Sequence, residues 1–308
     1  MGENRSVLVS VGLPVYNCAA TLDLAIQSIL NQTFCDWELL VVDDGSTDGT
    51  IDVARAYSDP RIRFFADGSH QGLAIRLNQT IDLGQGKYFA RMDGDDVSYP
   101  ERLALQVSYL EEHAEIDLLG GGILVFGRGG EVLGARESRT THEQICRRPW
   151  AGFYLAHPTW LGRLEWFRKH SYRSEAVRCE DQDLLLRTYE NSRFAALSEV
   201  VLGYREAELS LRKILLGRRS FVRSAFREGS QTGNYLIGVG ALVEHTLKGF
   251  AECVAIGTGL GYRVLRHRAL PVDDATKRRW TEVWQEAQTE RRSARKAESM
   301  LMTIGGEQ

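Results

Sequence analysis

Trp37-Glu38-Leu39-Leu40-Val41-Val42-Asp43-Asp44-Gly45-Ser46-Thr47-Asp48-Gly49 is the stretch that decides the fold. It opens as a short apolar run suited to a buried strand, then stops at two aspartates and a cluster of turn formers. From Thr50 to Tyr57 a helical pattern resumes, so the local order is strand, acidic loop, helix. The same order appears upstream, where the β-branched run Val7 to Gly12 meets the turn-like Pro14-Val15-Tyr16-Asn17. Leu22, Ala25, Ile26, Ile29 and Leu30 follow at helical spacing. Downstream, Arg61 to Phe65 reads as a third strand, Leu73 to Asp82 as a third helix, and Tyr88 to Met92 as a fourth strand that breaks at Asp93.

Such alternation predicts an α/β fold with a mostly parallel central sheet and helices on both faces. Right-handed crossovers place the loops after the strands on one sheet edge, where ligands of open α/β sheets bind, and the acidic residues fall in those loops. Past Pro100 the pattern predicts a helix from Glu101 to His113 and a buried strand from Leu118 to Phe126, with Gly120-Gly121-Gly122 inside it. An Arg-rich, aromatic stretch leads to His157-Pro158-Thr159, and Glu180-Asp181 opens a helical segment through Leu184, Leu185, Leu186 and Arg187. Beyond about residue 208 the character is helical, which divides the chain into a first part, 1–207, and a C-terminal appendage, 208–308. Asp274 to Met302 reads as a charged helix with a loose tail.

A chain of 308 residues with net charge -3 and 43% hydrophobic residues is a globular protein, neither disordered nor built for nucleic acid. Cys18, Cys35, Cys146, Cys179 and Cys253 are scattered without C-x-x-C or zinc-type spacing, which fits reduced thiols in a cytoplasm. Met1 to Ser6 is polar and runs directly into a strand pattern, with no basic segment followed by an apolar one, so export through a signal peptide is not expected.

Asp93-Gly94-Asp95-Asp96 carries the chemistry. Carboxylates at i and i+2 in a loop just past a strand can converge on one hard divalent cation, and Mg²⁺ and Mn²⁺ favour such oxygen ligands. The bland alternative is a solvated acidic turn. Asp43 and Asp44 end an earlier strand on the same sheet edge, where they can accept hydrogen bonds from a base or ribose. They can equally form a capped turn before the next helix, and both readings can hold at once.

Taken in order, Leu13-Pro14-Val15-Tyr16-Asn17, Ser28-Ile29-Leu30-Asn31-Gln32-Thr33, Val42-Asp43-Asp44-Gly45-Ser46-Thr47-Asp48-Gly49-Thr50 and Ala90-Arg91-Met92-Asp93-Gly94-Asp95-Asp96 resemble glycosyltransferase family 2. So does the later Glu180-Asp181 with Leu186-Arg187. The resemblance spans about the first two thirds of the chain and implies that 1–207 is the catalytic part, with 1–100 binding the nucleotide sugar and 101–207 forming the acceptor side and supplying the base. It implies a GT-A (Rossmann-like) fold, an inverting mechanism, and a nucleotide diphosphate sugar donor, UDP-linked, bound with Mg²⁺ or Mn²⁺. By the same resemblance Pro14, Val15 and Tyr16 line the nucleoside pocket, Asp44 contacts the base, Asp93 the ribose, and Asp95 binds the metal, with Asp96 orienting the loop. Arg76 reaches the base or the diphosphate, or is an exposed helix arginine. Asp181 is the base that deprotonates the acceptor hydroxyl, or the cap of its helix, and its flanking Glu180 and Asp183 should raise its pKa. His157 and Glu180 belong to the acceptor side, while most of Trp150, Phe153, Tyr154 and Trp160 are expected in the core.

Leu211 to Arg227 carries six basic and no acidic residues, interleaved with apolar ones. It suits the surface of an anionic membrane, or packs on the catalytic part with its arginines in water. Asn234 to Tyr262 is apolar but interrupted by Glu244, His245, Lys248 and Glu252, which argues against a membrane span. The expectation is a cytoplasmic enzyme, peripheral on the inner membrane, acting on a lipid-linked or other glycan acceptor, with the helical region as a possible homodimer surface. A sugar nucleotidyltransferase would want a glycine-rich basic loop after the first strand, where Pro14-Val15-Tyr16-Asn17-Cys18 offers neither glycine nor lysine. A non-catalytic nucleotide- or glycan-binding protein would need a broken site, and every expected carboxylate is present.

Overall fold

The structure, a computed structural model, describes residues 7–136, 138–206, 210–259 and 270–288. Strands β1 (Val9–Val15), β2 (Trp37–Asp43), β3 (Ile62–Ala66) and β4 (Tyr88–Arg91) lie in the order β3-β2-β1-β4, all parallel. Helices α1 (Leu22–Leu30), α2 (Thr50–Arg55) and α3 (Leu73–Leu83) occur between them in sequence. The acidic loops after β2 and β4 therefore emerge on one edge, as the alternation requires.

The first strand runs further than its β-branched residues suggest and takes in Pro14. A proline costs a ladder bond only where its missing N–H would have been used. Here β1 accepts from Met92 at Gly12, toward β4, but its pairing with β4 stops at Gly12–Arg91. Two residues on, Pro14 faces that same side beyond the last pair, so no bond is lost.

Past β4 the sheet continues through β8 (Leu161–Arg163), β6 (Leu118–Phe126), β9 (Phe194–Arg205) and β5 (Val97–Ser98), with β7 (Val132–Arg136) also paired to β6. The β6–β9 pair is parallel and the other pairs here are antiparallel. The sheet is thus parallel across the half that carries the acidic loops and mixed beyond it. One face packs α1, α2 and α4 (Arg102–Glu112) against Val9, Val11, Leu13, Leu39 and Val41. On the other, α3, α6 (Leu164–Lys169) and α7 (Glu180–Thr188) share a core with Phe89, Leu118 and Trp160. A short helix, α5 (His142–Ile145), adds Ile145 to that second core.

The C-terminal helices join these cores. Phe221 and Ala225 of α8 (Leu211–Thr232) and Ile237 and Ala241 of α9 (Tyr235–Gly257) are buried in the same cluster as Leu184, Leu185 and Leu186 of α7. A last helix, α10, spans 274–288 in the described residues; the rest of the charged helix expected to Met302 lies outside them. Its Trp280 is buried against Phe126 at 4.7 Å between ring centroids and donates Nε1–H to the Gly130 carbonyl at 2.7 Å. Gly203 of β9 has no Cβ because one there would overlap that ring. No described helix is long and apolar enough to cross a membrane.

Candidate active site

The loops after β1, β2, β3 and β4 surround a cleft of about 720 Å³. Its first wall is built from Asp43 and Asp44, which do different work. Asp43 Oδ2 accepts from the backbone of Gly45 at 2.9 Å and Ser46 at 3.0 Å, closing the turn. Gly45 is required there: its φ is +75°, and a Cβ would lie 2.9 Å from the Ser69 backbone. Asp44 turns the other way, toward the loop after β3. Its carboxylate accepts from Gln71 N at 2.7 Å, Gly72 N at 3.0 Å and Arg76 Nε at 3.0 Å, with His70 Nδ1 2.9 Å away. Arg76 also grips Asp67 in a bidentate pair at 2.7 and 2.9 Å and reaches Gln79 and the Ser69 carbonyl.

These contacts change two expectations. Arg76 is 1% exposed and all five of its N–H groups have protein acceptors, so in this conformation none is left for a base or diphosphate. It is neither an exposed helix arginine nor a ligand arm; it clamps the loops after β2 and β3 together. Asp44 lines the cleft but is already engaged by backbone amides and Arg76. Above it, Tyr16 stands 48% exposed with its ring 4.4 Å from that of His70. Pro14, Val15 and Tyr16 all line the cleft as expected, and the Tyr16–His70 pair offers an aromatic edge on which a nucleobase can stack.

Across the cleft stands the acidic loop. Asp93, Asp95 and Asp96 each present a carboxylate oxygen, all within 4.8 Å of one another. Asp93 is paired with the buried Arg91 at 2.5 Å. Burial, then the charge of Asp93, pushes the Asp95 carboxyl up to about 6. Asp96, buried beneath, is raised well above the usual carboxylate range by burial and then by its two neighbours. One Asp96 oxygen accepts from Arg205 N at 2.9 Å, while Oδ2 finds no hydrogen-bond partner among the described residues. Three crowded oxygen ligands, the carboxyls of Asp95 and Asp96 raised and one buried Asp96 oxygen unpartnered among the described residues, fit a hard divalent cation, which would relieve both the repulsion and the desolvation. Gly94 is needed for packing, since a Cβ would lie 3.0 Å from Cys18 Sγ.

The far wall comes from the segment before α7 and from α7 itself. Ser174, Ala176, Val177, Arg178 and Glu180 line the cleft, whereas Asp181 does not. Glu180 is raised to about 7, by burial first and then by Asp181. Asp181 is raised too, but by burial, with Gln182 donating to its carboxylate at 3.2 Å. The repulsion expected from Asp183 is absent, because Asp183 faces the other way into an ion pair with Arg187 at 2.8 Å. His157 does not line the acceptor cleft. It is buried, its Nε2 is 2.9 Å from the Tyr172 hydroxyl, and its ring packs on Trp160, so it props the wall from behind. Of the aromatic residues, Trp160 and Phe153 are core while Tyr154 is 46% exposed.

Sequence reading missed His70, Arg178 and Arg205, all of which line the cleft. Arg205 is the most consequential: its Nε donates to the Asp95 carbonyl at 2.9 Å and its backbone holds Asp96. It stands more than a hundred residues downstream, and no local motif marks it.

Residues 10–171 match the family model described as glycosyl transferase family 2. A Bacillus subtilis protein named as glycosyltransferase EpsE is 38% identical over 228 residues, covering 72% of this chain and 79% of that protein. The structure of Staphylococcus aureus TarS 1-349 in complex with UDP-GlcNAc matches with a TM-score of 0.59 at 19% identity, over 92% of this chain and 82% of that one. A mannosyltransferase from Pyrobaculum calidifontis in complex with GDP-Man and Mn²⁺ matches with a TM-score of 0.56 at 17% identity, over 92% and 86%. The likeness to these structures is one of fold, the GT-A arrangement. With a family match across more than half its length and a well-covered relative named for the same activity, this chain belongs to glycosyltransferase family 2.

Proposed function

We propose that this glycosyltransferase moves a sugar from a UDP-sugar to a hydroxyl of a glycan acceptor, with inversion and with a divalent metal. The observation that carries the reading is the pairing of two walls across one cleft. On one side the Asp93-Asp95-Asp96 cluster faces the Tyr16–His70 edge, and on the other stands the raised carboxyl of Glu180 at the start of α7, with Asp181 next to it in the chain and off the cleft. Asp95, with Asp93 or Asp96 beside it, would hold Mg²⁺ or Mn²⁺, which when bound neutralises charge on the departing diphosphate. The residue assignments follow the family resemblance, supported by the places of these residues around the cleft. Tyr16 and the neighbouring Pro14 and Val15 bind the nucleoside, and Asp93 takes the ribose.

In this reading the acceptor oxygen attacks the anomeric carbon from the face opposite the diphosphate. Its proton passes to Asp181, the carbon–oxygen bond to the diphosphate breaks, and UDP leaves. Glu180, on the cleft wall, positions the acceptor. TarS was crystallised with UDP-GlcNAc, which supports UDP; the archaeal mannosyltransferase carries GDP-Man and Mn²⁺, which supports the metal and makes GDP the donor to try second. We place the catalytic part at 1–207 and the C-terminal region at 208–308, of which the described helices α8, α9 and α10 pack on the catalytic part.

The test is incubation of the purified protein with UDP- and GDP-sugars, Mn²⁺ or Mg²⁺, and a panel of glycosides, with the product's anomeric configuration read by proton NMR. Transfer with inverted configuration supports the proposal. Retained configuration, or full activity after chelation of all metal, contradicts it.

A further inference from the structure

The hairpin of α8 and α9 has sorted its charges. Its three acidic residues all turn inward: Glu252 pairs with Arg218 at 2.6 Å, Glu244 with Arg148 at 2.8 Å, and Glu228 lies among Arg173 and Arg187. Arg212, Lys213, Arg219, Arg223 and Arg227 are exposed, and none forms an ion pair with a described residue. Arg212, Arg219 and Arg223 recur at helical spacing and so share one outward stripe of α8.

Alongside, α9 shows water a continuous apolar stripe. Leu236 is 80% exposed, Leu247 65% and Phe250 70%, with Val239, Val243 and Val254 on the same face at steps of three and four. Leu215 and Phe226 of α8, themselves partly exposed, pack against Gly249 and Gly238 of α9 and join this stripe to the arginines. An exposed apolar face of this extent, bordered by cations that pair with no described residue and with no outward acid of the hairpin on it, is costly in water and marks an interaction surface.

From this juxtaposition we infer that the outer face of the α8–α9 hairpin docks on an anionic lipid surface, with the α9 stripe in the headgroup boundary and the α8 arginines on lipid phosphates. The charge pattern selects lipid over a second copy of the chain. A two-fold contact through this face would bring the arginines of both copies together with no outward acid on the hairpin to meet them. The helices lie on the surface and do not span it, which agrees with the absence of a spanning helix among the described residues. One consequence rests on the glycosyl transfer proposed above: Gly217 of α8 packs against the Arg178 carbonyl, and Ser174, Ala176, Val177 and Arg178 line the cleft, so docking would set the cleft wall one helix away from the lipid.

The experiment is flotation of the full chain with vesicles of phosphatidylcholine alone and of equal parts phosphatidylcholine and phosphatidylglycerol, at low and high salt. Analytical ultracentrifugation without lipid runs in parallel. The full chain should float with the anionic vesicles, be released by salt, and stay behind with the neutral ones. Arg219→Gln with Arg223→Gln should bind about thirtyfold more weakly, and Leu247→Ser with Phe250→Ser at least about tenfold more weakly. Unchanged melting curves would show that both pairs are folded. Absence from the floated fraction, equal binding to neutral vesicles, or full binding by both variant pairs overturns the proposal. So does a lipid-free dimer that the Leu247→Ser, Phe250→Ser pair converts to monomer, which would assign the face to a second copy. None of these readouts depends on donor or acceptor, so failure here leaves the transferase reading separately testable.

Discussion

Glu180 and Asp181 are adjacent in sequence yet differently placed: Glu180 faces the cleft with its carboxyl pushed up to about 7, while Asp181 lies off the cleft and its carboxylate accepts from Gln182. A general base must be ionised, so activity should fall as pH drops through the Asp181 pKa, which burial holds above the usual carboxylate range. Glu180 is pushed up by the Asp181 charge as well as by burial, so Asp181 ionises first and Glu180 is neutral while it does. The expected profile for Glu180→Gln is therefore an unmoved acid limb with kcat reduced about tenfold, against a loss of about a thousandfold for Asp181→Asn. The reverse ranking would make Glu180 the base. The order of motifs singles out Asp181 as the base, which these variants test; the source of its raised pKa was not legible there. Sequence places three acids together and suggests repulsion, whereas helical geometry sends Asp183 to Arg187 on another face.

Among the elements, the loops after β1 to β4 form the site because they are laced together by side chains far apart in sequence. Asn17 Oδ1 accepts from Thr47 N at 2.8 Å, Thr21 Oγ1 donates to the Gly94 carbonyl at 2.9 Å, and Arg76 ties Asp44 to Asp67. The strands and acidic loops were readable because apolar periodicity and turn residues are local signals. The clamp was not, since a buried arginine in a helix has the same local pattern as an exposed one until its partners on two other loops are known. The same holds for His157, whose neighbours suggested a cleft residue and whose Tyr172 partner makes it a buried prop. Removing the clamp strands the buried Asp44 charge, so Arg76→Met should cost about 3 kcal/mol in urea unfolding and raise the KM for the donor more than it lowers kcat. Unchanged stability would mean that the Asp44 and Asp67 contacts are not formed in solution.

At the scale of the whole molecule, the chain divides less cleanly than its composition suggests. A change of character near residue 208 reads as an appendage, yet α8 and α9 share a core with α7, and α10 returns to seal the end of the sheet at β6 and β9. That return was invisible because Trp280 sits in a charged helix and its receiving surface, the missing Cβ of Gly203, is recognisable only in three dimensions. Trp280→Ala should destabilise the protein by about 3 to 5 kcal/mol, measured by urea unfolding, although the residue lies outside the family match. A separate, earlier transition with the rest of the fold intact would instead show that α10 is dispensable. All of this scaffolding serves to hold one acidic loop opposite one aromatic edge, and calorimetric titration of UDP with and without Mn²⁺, on the parent protein and on Asp95→Ala, tests that most directly. Binding that requires Mn²⁺ and is lost in Asp95→Ala is the predicted result; UDP binding of equal strength without metal, or undiminished in Asp95→Ala, would contradict the account.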